Sequence, residues 1–232
     1  MLFRSGGDDA QPRRLAGGDR HGFRRHDHGR RDDRGPLRIG LVSADFREHS
    51  CAYFLGPFID GLLRAGLEVA CYFNHEKADE VTERFRSRVT LFRSIVNLDS
   101  LSAATQVRSD GVDVLIDLAA HTGGSRLDVF ARRPAPVQMT YLGYPNTTGL
   151  RSIDYRLVDW TSDPEENSWH CVEKLLRVPE GRCVWCYRPS ESAPEVGPPP
   201  CLTSGHFTFG SFNNNSKITE KVVRAWSAVL NR

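Results

Sequence analysis

From Leu37 onwards, short apolar runs alternate with amphipathic stretches of ten to fifteen residues. The apolar runs predict buried strands, and apolar residues at three- and four-residue spacings predict helices. This alternation is typical of βαβ units, so the sequence predicts an α/β fold with a doubly wound, mostly parallel sheet. The predicted strands are Leu37–Ser43, Leu67–Phe73, Val112–Leu118, Val137–Leu142, Tyr155–Val158 and Phe207–Ser211, and the predicted helices are Tyr53–Ala65, Asp79–Arg88, Asp99–Arg108 and Glu220–Leu230.

Two segments break this pattern. Residues 1–36 hold Arg, Asp, Gly and His with almost no apolar side chains, and we expect a disordered leader because nothing there would offset the chain entropy lost on ordering. Residues 189–205 begin with PSESAPEVGPPP and are predicted to connect two domains, since proline disfavours helix and central strand. The first domain would span 37–188. The second, 206–232, would hold one strand and one helix, too little to enclose a core, so we expect it to be truncated.

Charge and hydropathy exclude some functions. The formal net charge is +2, but residues 1–36 carry nine Arg against six Asp, which leaves the remaining chain near −1. A domain that binds nucleic acid is therefore not expected. The chain lacks the run of roughly 18 apolar residues that a membrane helix needs, and its start lacks a secretion signal. We expect no membrane association and a cytoplasmic protein.

The six cysteines are scattered and do not resemble a disulfide framework, so free thiols are expected. Cys183 and Cys186 form a CxxC pair. A structural zinc site needs a second ligand pair, for which His170, Cys171 and Cys201 are the nearby candidates. Zinc binding or redox use is one interpretation, and ordinary core cysteines are the one we favour.

The first predicted strand ends in SADFREHS, directly before a helix. In open α/β sheets ligands bind beyond the carboxyl ends of the strands, so Asp45 and His49 lie where a reacting group would be held. A histidine there can exchange or position a proton near neutral pH. The alternative is that Asp45 only caps the helix and His49 lies on the surface.

Two further strand ends carry glycine-containing loops. The AHTGGSR loop holds His121 and Gly124, and paired glycines let backbone N–H groups approach an anionic ligand. A tight turn with a hydroxyl cap explains that pattern equally well. The LGYPNTTG loop holds Leu142, Gly143 and Pro145, and its hydroxyl and amide donors suit a polyhydroxylated ligand.

A fourth loop, FGSFNNNSKIT, follows the last predicted strand. It places Lys217 before a helix for which Thr219 is the expected cap. A lysine there can supply a point charge to a phosphate. A solvated surface lysine is the alternative.

Four motifs together resemble the catalytic region of the O-linked N-acetylglucosamine transferases and of the related Spindly-type protein O-fucosyltransferases. They are RPAPVQ (133–138), LGYPNTTG (142–149), IDYR (153–156) and FGSFNNNSKIT (209–219), and they occur in the family's order and at about its separations. The resemblance runs from Leu37 to the end of the chain. It implies the Rossmann-like N-terminal lobe of a two-lobe GT-B region and the start of the second lobe.

The resemblance also implies an activity, the inverting and metal-independent transfer of a sugar from a nucleotide donor to Ser or Thr hydroxyls of acceptor proteins, without a cofactor. Asp45 and His49 match a family Asp-Phe-x-x-His motif in which the histidine lies beside the acceptor and the donor phosphate. Lys217 matches a lysine on the donor diphosphate, where a fixed cation opposes the charge that grows on the leaving group. Asn214, three residues earlier, can also reach the nucleotide.

The glycine-containing loops have counterparts in the family as well. His121 and Gly124 match an active-site turn, and Leu142, Gly143 and Pro145 match the loop that faces the sugar. The resemblance therefore implies that these five residues contact the substrates, while Asp45, His49 and Lys217 act in catalysis.

Three functions stay open. N-acetylglucosamine transfer from UDP-GlcNAc is favoured. Fucosyl transfer from GDP-fucose is the alternative, because the segments Leu142–Gly149 and Phe209–Asn214 resemble the Spindly-type sequences at least as closely as those of the N-acetylglucosamine transferases. The third is a non-catalytic remnant lobe that binds a partner. The chain alone is expected to be inactive, because most of the nucleotide-binding lobe and the tetratricopeptide helices that usually precede this region are missing.

Overall fold

The computed structural model describes residues 35–188 and 194–231. The chain divides into two compact units, one ending at Arg188 and the other spanning Pro189–Arg232. Most of the predicted leader and the first five residues of the predicted connector lie outside the described residues. Within the described ranges, no helix is both long enough and apolar enough to cross a bilayer.

Seven strands form one sheet in the first unit. Their order is β3-β2-β1-β4-β5-β6-β7 and each neighbouring pair is parallel, which confirms the predicted doubly wound sheet. The order runs outwards from β1 to one edge and from β4 to the other, so the loops that follow β1 and β4 diverge. The strands are β1 (Arg38–Ser43), β2 (Glu68–Phe73), β3 (Leu91–Ser94), β4 (Val114–Asp117), β5 (Val137–Thr140), β6 (Tyr155–Val158) and β7 (Lys174–Arg177).

Helices cover both faces of this sheet. Because successive strand side chains point to opposite faces, Leu41 packs in one core cluster with Leu55, and Val42 packs in a second cluster with Ala104 and Phe130. With both faces covered, the edge at the carboxyl ends of the strands is the surface left for a ligand. The helices of this unit are α1 (Ser50–Arg64), α2 (Glu80–Arg86), α3 (Ser100–Ser109) and α4 (Leu127–Ala131), with a 3-10 helix at Glu165–His170.

The predicted elements of the first unit agree with the structure to within a few residues, but the apolar pattern misses β3 and β7. Both are edge strands of only four residues. Their sequences, LFRS and KLLR, mix charged and apolar side chains because an edge strand is partly exposed to solvent. The criterion of an apolar run therefore selects the central strands and passes over the edges.

The second unit contains α5 (Cys201–Ser204), a 3-10 helix at Asn215–Lys217 and α6 (Glu220–Leu230). The predicted helix over α6 is confirmed. The predicted strand Phe207–Ser211 is wrong, since these residues have no regular secondary structure. A strand is stabilised by hydrogen bonds to a neighbouring strand, and the described residues of this unit contain none.

Candidate active site

A cavity of about 410 Å³ opens beyond the carboxyl ends of β1, β2, β4 and β5. The strand order changes direction between β1 and β4, which is where open α/β sheets bind ligands. Small-molecule sites typically enclose roughly 300–1,000 Å³, so the cavity is large enough for a ligand. Four loops line it, with Ala44, Asp45, Arg47, His49 and Cys51 after β1, Asn74 and His75 after β2, Thr122, Gly123 and Gly124 after β4, and Gly143 after β5.

Asp45 and His49 lie together on the wall of this cavity. Asp45 is 7% exposed, and its Oδ2 lies 3.4 Å from Nδ1 of His49. The Nη2 atom of Arg47 lies 3.9 Å from the other carboxylate oxygen. The Asp45 carboxylate therefore sits between a guanidinium and an imidazole, and the structure brings together the pair singled out in the sequence.

His49 is also the N-cap of α1. Its backbone is extended, and its Nδ1 accepts a hydrogen bond of 3.2 Å from the backbone N–H of Cys51. Because the Nδ1 lone pair is used in this cap, the neutral ring carries its proton on Nε2. The cap of α1 is therefore His49 and not Asp45, and the His49 side chain is partly exposed.

Two more side chains, one in the loop after β1 and one at the start of α1, shape the electrostatics of the cavity. Burial, and then the neighbouring Asp45 carboxylate, raise the pKa of the Cys51 thiol to about 11, so the thiol keeps its proton at neutral pH and is a poor nucleophile. The Nε atom of Arg47 is buried and has no hydrogen-bond partner among the described residues. A buried N–H without a partner costs free energy, and the Arg47 guanidinium adds positive charge to the cavity wall.

Gly124 meets two requirements that exclude other residues. Its φ is +75°, and a Cβ atom there would lie 2.4 Å from Cβ of Ala44. The carbonyl oxygen of Gly124 accepts a hydrogen bond of 3.0 Å from Nδ2 of Asn74. The Oδ1 atom of Asn74 accepts in turn from Nη1 of Arg126, which also donates to the carbonyl of Ile95. The glycine loop after β4 is thus held against the loops after β1 and β2.

The loop after β5 is held equally closely. A Cβ atom on Gly143 would lie 2.1 Å from the carbonyl oxygen of Leu118 and 2.9 Å from Cα of Ala119, so the two loops touch backbone to backbone. Leu142, which is buried beside it, has φ of +74°, a conformation uncommon for leucine. The sequence Leu142-Gly143 is therefore explained by the close approach of the two neighbouring loops.

A buried carboxylate holds the rest of the LGYPNTTG loop. Glu173 accepts hydrogen bonds from the backbone N–H of Thr148 at 2.8 Å, from the hydroxyl of Thr147 at 2.7 Å and from the hydroxyl of Thr148. Burial opposes ionisation of Glu173, but these hydrogen bonds outweigh it and hold the pKa of the carboxyl below its usual value. The ionised carboxylate of Glu173 therefore anchors the loop through these hydrogen bonds.

Three predicted residues do not line the larger cavity. His121 is exposed, with its ring against that of Tyr144 at a centroid distance of 5.3 Å and an angle of 86°. Leu142 and Pro145 contribute to a second cavity of about 30 Å³, the size of a single water. Of the predicted loop residues in the first unit, Gly124 and Gly143 are the two that face the larger cavity.

Asn214 and Lys217 belong to the second unit. The Asn214 side chain accepts from the N–H of Ser216 at 3.0 Å, and its backbone carbonyl accepts from the N–H of Lys217 at 2.9 Å. Thr219 is the N-cap of α6, as predicted, although its side chain makes no capping hydrogen bond. One turn thus brings Asn214 and the exposed Lys217 together just before a helix begins.

Comparison with known families identifies the chain. A family model described as glycosyl transferase family 41 matches residues 20–185. The chain belongs to this family. The matched region contains the whole seven-stranded sheet and three of the four motifs on which the resemblance rests, so the family inferred from the sequence is confirmed.

Two curated plant proteins illustrate how this family 41 chain relates to its relatives. It is 42% identical over 204 residues to the Arabidopsis thaliana protein named probable UDP-N-acetylglucosamine-peptide N-acetylglucosaminyltransferase SPINDLY, covering 86% of this chain and 22% of that protein. It is 31% identical over 203 residues to the protein of the same plant named SEC, covering 84% of this chain and 21% of that protein. The chain therefore spans about a fifth of the length of these relatives.

A solved structure shares the fold. A mutant of the Thermobaculum terrenum O-GlcNAc transferase matches with a TM-score of 0.77 and 38% identity, covering 85% of this chain and 37% of that chain. This likeness confirms the predicted α/β fold of the GT-B type.

A buried carboxylate that the sequence pattern does not predict supports the loops of this family 41 site. Asp117 is fully buried and accepts hydrogen bonds from the backbone N–H groups of Ala119 and Ala120 and, at 2.8 Å, from the Thr140 hydroxyl. Burial raises the pKa of Asp117. These bonds hold Ala120 at φ +44°, where non-glycine residues are uncommon. The sequence feature that could have indicated this role is a charged residue inside a predicted buried strand.

The CxxC pair has a structural surrounding. All six cysteines are free thiols, as expected, and no group of possible metal ligands among the described residues includes Cys183 or Cys186. Cys183 is exposed, so its interpretation as a core cysteine is wrong. The residue between them, Val184, is buried, and its N–H donates to Asp159 and its carbonyl accepts from the Tyr141 hydroxyl. The valine, and not the cysteines, anchors this loop to the core.

Proposed function

We propose that this chain provides the first lobe of a protein glycosyltransferase that moves N-acetylglucosamine from UDP-GlcNAc to Ser or Thr hydroxyls with inversion. The observation that carries the proposal is the cavity at the β1/β4 switch point, where Asp45 and His49 meet the glycine loops after β4 and β5. Membership of family 41 and the printed names of the relatives support the same reaction class. The partners would be acceptor proteins and a nucleotide sugar, with no nucleic acid or membrane involved.

The proposed chemistry is a single displacement. The acceptor hydroxyl oxygen attacks the anomeric carbon, the bond from that carbon to the donor phosphate breaks, and the hydroxyl proton leaves the oxygen. His49 is the proposed proton-handling group because its Nδ1 lies 3.4 Å from Asp45 and the residue lines the cavity. With Nδ1 used in the helix cap, Nε2–H donates a hydrogen bond to an oxygen of either substrate. To accept the proton of the acceptor hydroxyl, the ring takes the other tautomer, in which Nδ1 carries the resting proton beside Oδ2 of Asp45, 3.4 Å away, and Nε2 is free to bind the new proton. The Asp45 carboxylate then balances the positive charge of the imidazolium.

Charge on the leaving diphosphate is the second part of the mechanism. We infer from the family motif that Lys217 neutralises this charge and that Asn214 contacts the nucleotide. A cation that acts as negative charge develops lowers the barrier more than one that binds the ground state. Lysine and backbone amides would then serve in place of a metal ion, and no cofactor is required.

The proposed domain organisation follows from the same assignment. Residues 1–36 would be a leader, 37–188 the Rossmann-like lobe, 189–205 the connector, and 206–232 the first part of the nucleotide-binding lobe. The described residues up to Arg188 form one compact unit, which supports a boundary at this point. We predict that the protein is cytoplasmic, and imaging of a fusion to a fluorescent protein would test this.

A chimera tests the function directly. The matching segment of the Thermobaculum terrenum enzyme is replaced by this chain, and transfer of labelled sugar to a protein acceptor is measured with UDP-GlcNAc and with GDP-fucose. Transfer from UDP-GlcNAc that His49→Ala reduces and His170→Ala leaves unchanged supports the proposal, because His170 lies outside the cavity. Transfer from GDP-fucose alone favours the fucosyl alternative. A folded chimera that transfers neither sugar favours the non-catalytic remnant.

A further inference from the structure

Three side chains of different chemistry converge at the start of α1. One ligand atom from each of Asp45, His49 and Cys51 lies within 4.8 Å of the others, and all three residues line the larger cavity. Asp45 is in the loop after β1, His49 caps the helix, and Cys51 is its second residue. A carboxylate, an imidazole and a thiol thus line the same cavity, and all three come from one segment of seven residues, 45–51.

We propose that Asp45, His49 and Cys51 form a binding site for one Zn²⁺ ion, with the fourth coordination position open to the cavity. Oxygen and nitrogen ligands lie roughly 2.0–2.2 Å from zinc, so two of them in tetrahedral geometry are about 3.3 Å apart. The Asp45 Oδ2 and His49 Nδ1 atoms are already 3.4 Å apart. The Cys51 sulfur lies within 4.8 Å of the ligand atoms of Asp45 and His49, so it can supply the third ligand.

The ligand types select the cation. A thiolate and an imidazole favour Zn²⁺ and similar borderline divalent ions, whereas Mg²⁺ and Ca²⁺ prefer an all-oxygen environment. Binding releases the Cys51 proton to solvent as the sulfur–metal bond forms, and Nδ1 of His49 leaves the Cys51 N–H to bind the metal. Three protein ligands with an open fourth position leave room for water or a substrate oxygen.

Such a site would act against transfer and not in it. This effect rests on the proposed function: a metal ion at the site would bind both Asp45 and His49 and would block proton handling by His49. The site itself depends on no assumption about transfer, because it is argued from ligand geometry alone.

Metal binding to the chain itself is the test. The chain is prepared with His21, His26 and His28 replaced by alanine, which removes ligands of the leader, and is titrated with Zn²⁺ by calorimetry and with Co²⁺ by absorption spectroscopy. We expect one ion per chain and a thiolate-to-cobalt charge-transfer band. Cys51→Ser should abolish the band and weaken Zn²⁺ binding at least about 100-fold, because loss of an outer-shell partner alone weakens metal affinity about 10–100-fold.

A double variant, Cys183→Ser with Cys186→Ser, is the matched control and should keep both the band and the affinity. Loss of binding in this control, with retention in Cys51→Ser, would assign the metal to the CxxC pair and overturn the proposal. Absence of a thiolate band in the parent chain would also overturn it. If circular dichroism shows that Cys51→Ser is unfolded, His49→Gln replaces it, and unchanged zinc affinity in that folded variant contradicts the site. No transferase activity is measured, so failure here leaves the proposed function untouched.

Discussion

Replacing Gly143 by alanine tests whether backbone contact between neighbouring loops sets the shape of the cavity. The added Cβ would lie 2.1 Å from the carbonyl oxygen of Leu118 and 2.9 Å from Cα of Ala119. These neighbours are backbone atoms and cannot rotate aside as a flexible side chain does, so one of the loops must move. Overpacking of a well-packed site costs about 1–3 kcal/mol, and we expect Gly143→Ala to destabilise the chain by about 3 kcal/mol.

Denaturant unfolding followed by tryptophan fluorescence measures this change, since Trp160 and Trp185 lie in the same unit as the loop. Gly123→Ala is the matched control, because it lines the same cavity, has no unusual φ, and a Cβ there would meet nothing within 4 Å. The control should change stability by less than about 0.5 kcal/mol. A Gly143→Ala chain with the midpoint and slope of the wild type would refute the close-approach argument.

Three further predictions rest on other contacts. Backbone N–H groups of Ser162 and Val184 lower the pKa of Asp159 from 3.8 to about 2. The ionised carboxylate therefore stabilises the fold by about 2 kcal/mol above pH 4, and this contribution is lost as the pH falls from about 4 to about 2. Asp159→Asn should flatten that part of the stability–pH curve measured by chemical denaturation. Glu173→Gln should speed hydrogen exchange at the Thr148 amide, because a neutral acceptor replaces a carboxylate, and unchanged exchange would contradict its anchoring role. In an active enzyme containing this chain, Lys217→Ala should lower turnover about 100-fold or more, whereas Lys221→Ala on α6 should leave it unchanged.

The central sheet could be predicted because its strands are buried on both faces. Leu37–Ser43 and Leu67–Phe73 are almost continuously apolar, and the structure places β1 and β2 there with five of six residues buried in each strand. Edge strands lack that signal, so β3 and β7 are missed. The segment Phe207–Ser211 has the pattern of a strand, but the described residues of its unit contain no strand for it to pair with. Local pattern thus indicates what a segment can form, and pairing partners decide what it does form.

The site was predictable where a side chain follows a strand end. Asp45 and His49 satisfy that rule, and the structure places them 3.4 Å apart. The contacts that the rule misses are long-range. Glu173 holds a loop 25 residues earlier in the chain, and Arg126 donates to the carbonyl of Ile95, 31 residues before it. No local spacing in the sequence encodes such partners, because they depend on strand order.

Two independent constraints therefore shape this site. The Asp45–His49 pair is fixed locally, because His49 caps α1 within the same short segment. The glycine loops depend on contacts between neighbouring loops, with Gly124 against Ala44 and Gly143 against the backbone of Leu118. A shift in the loop after β5 would thus alter the shape of the cavity while leaving the separation of Asp45 and His49 unchanged. Such an arrangement suits the proposed transfer, in which the glycine loops would contact the sugar and His49 would handle the proton.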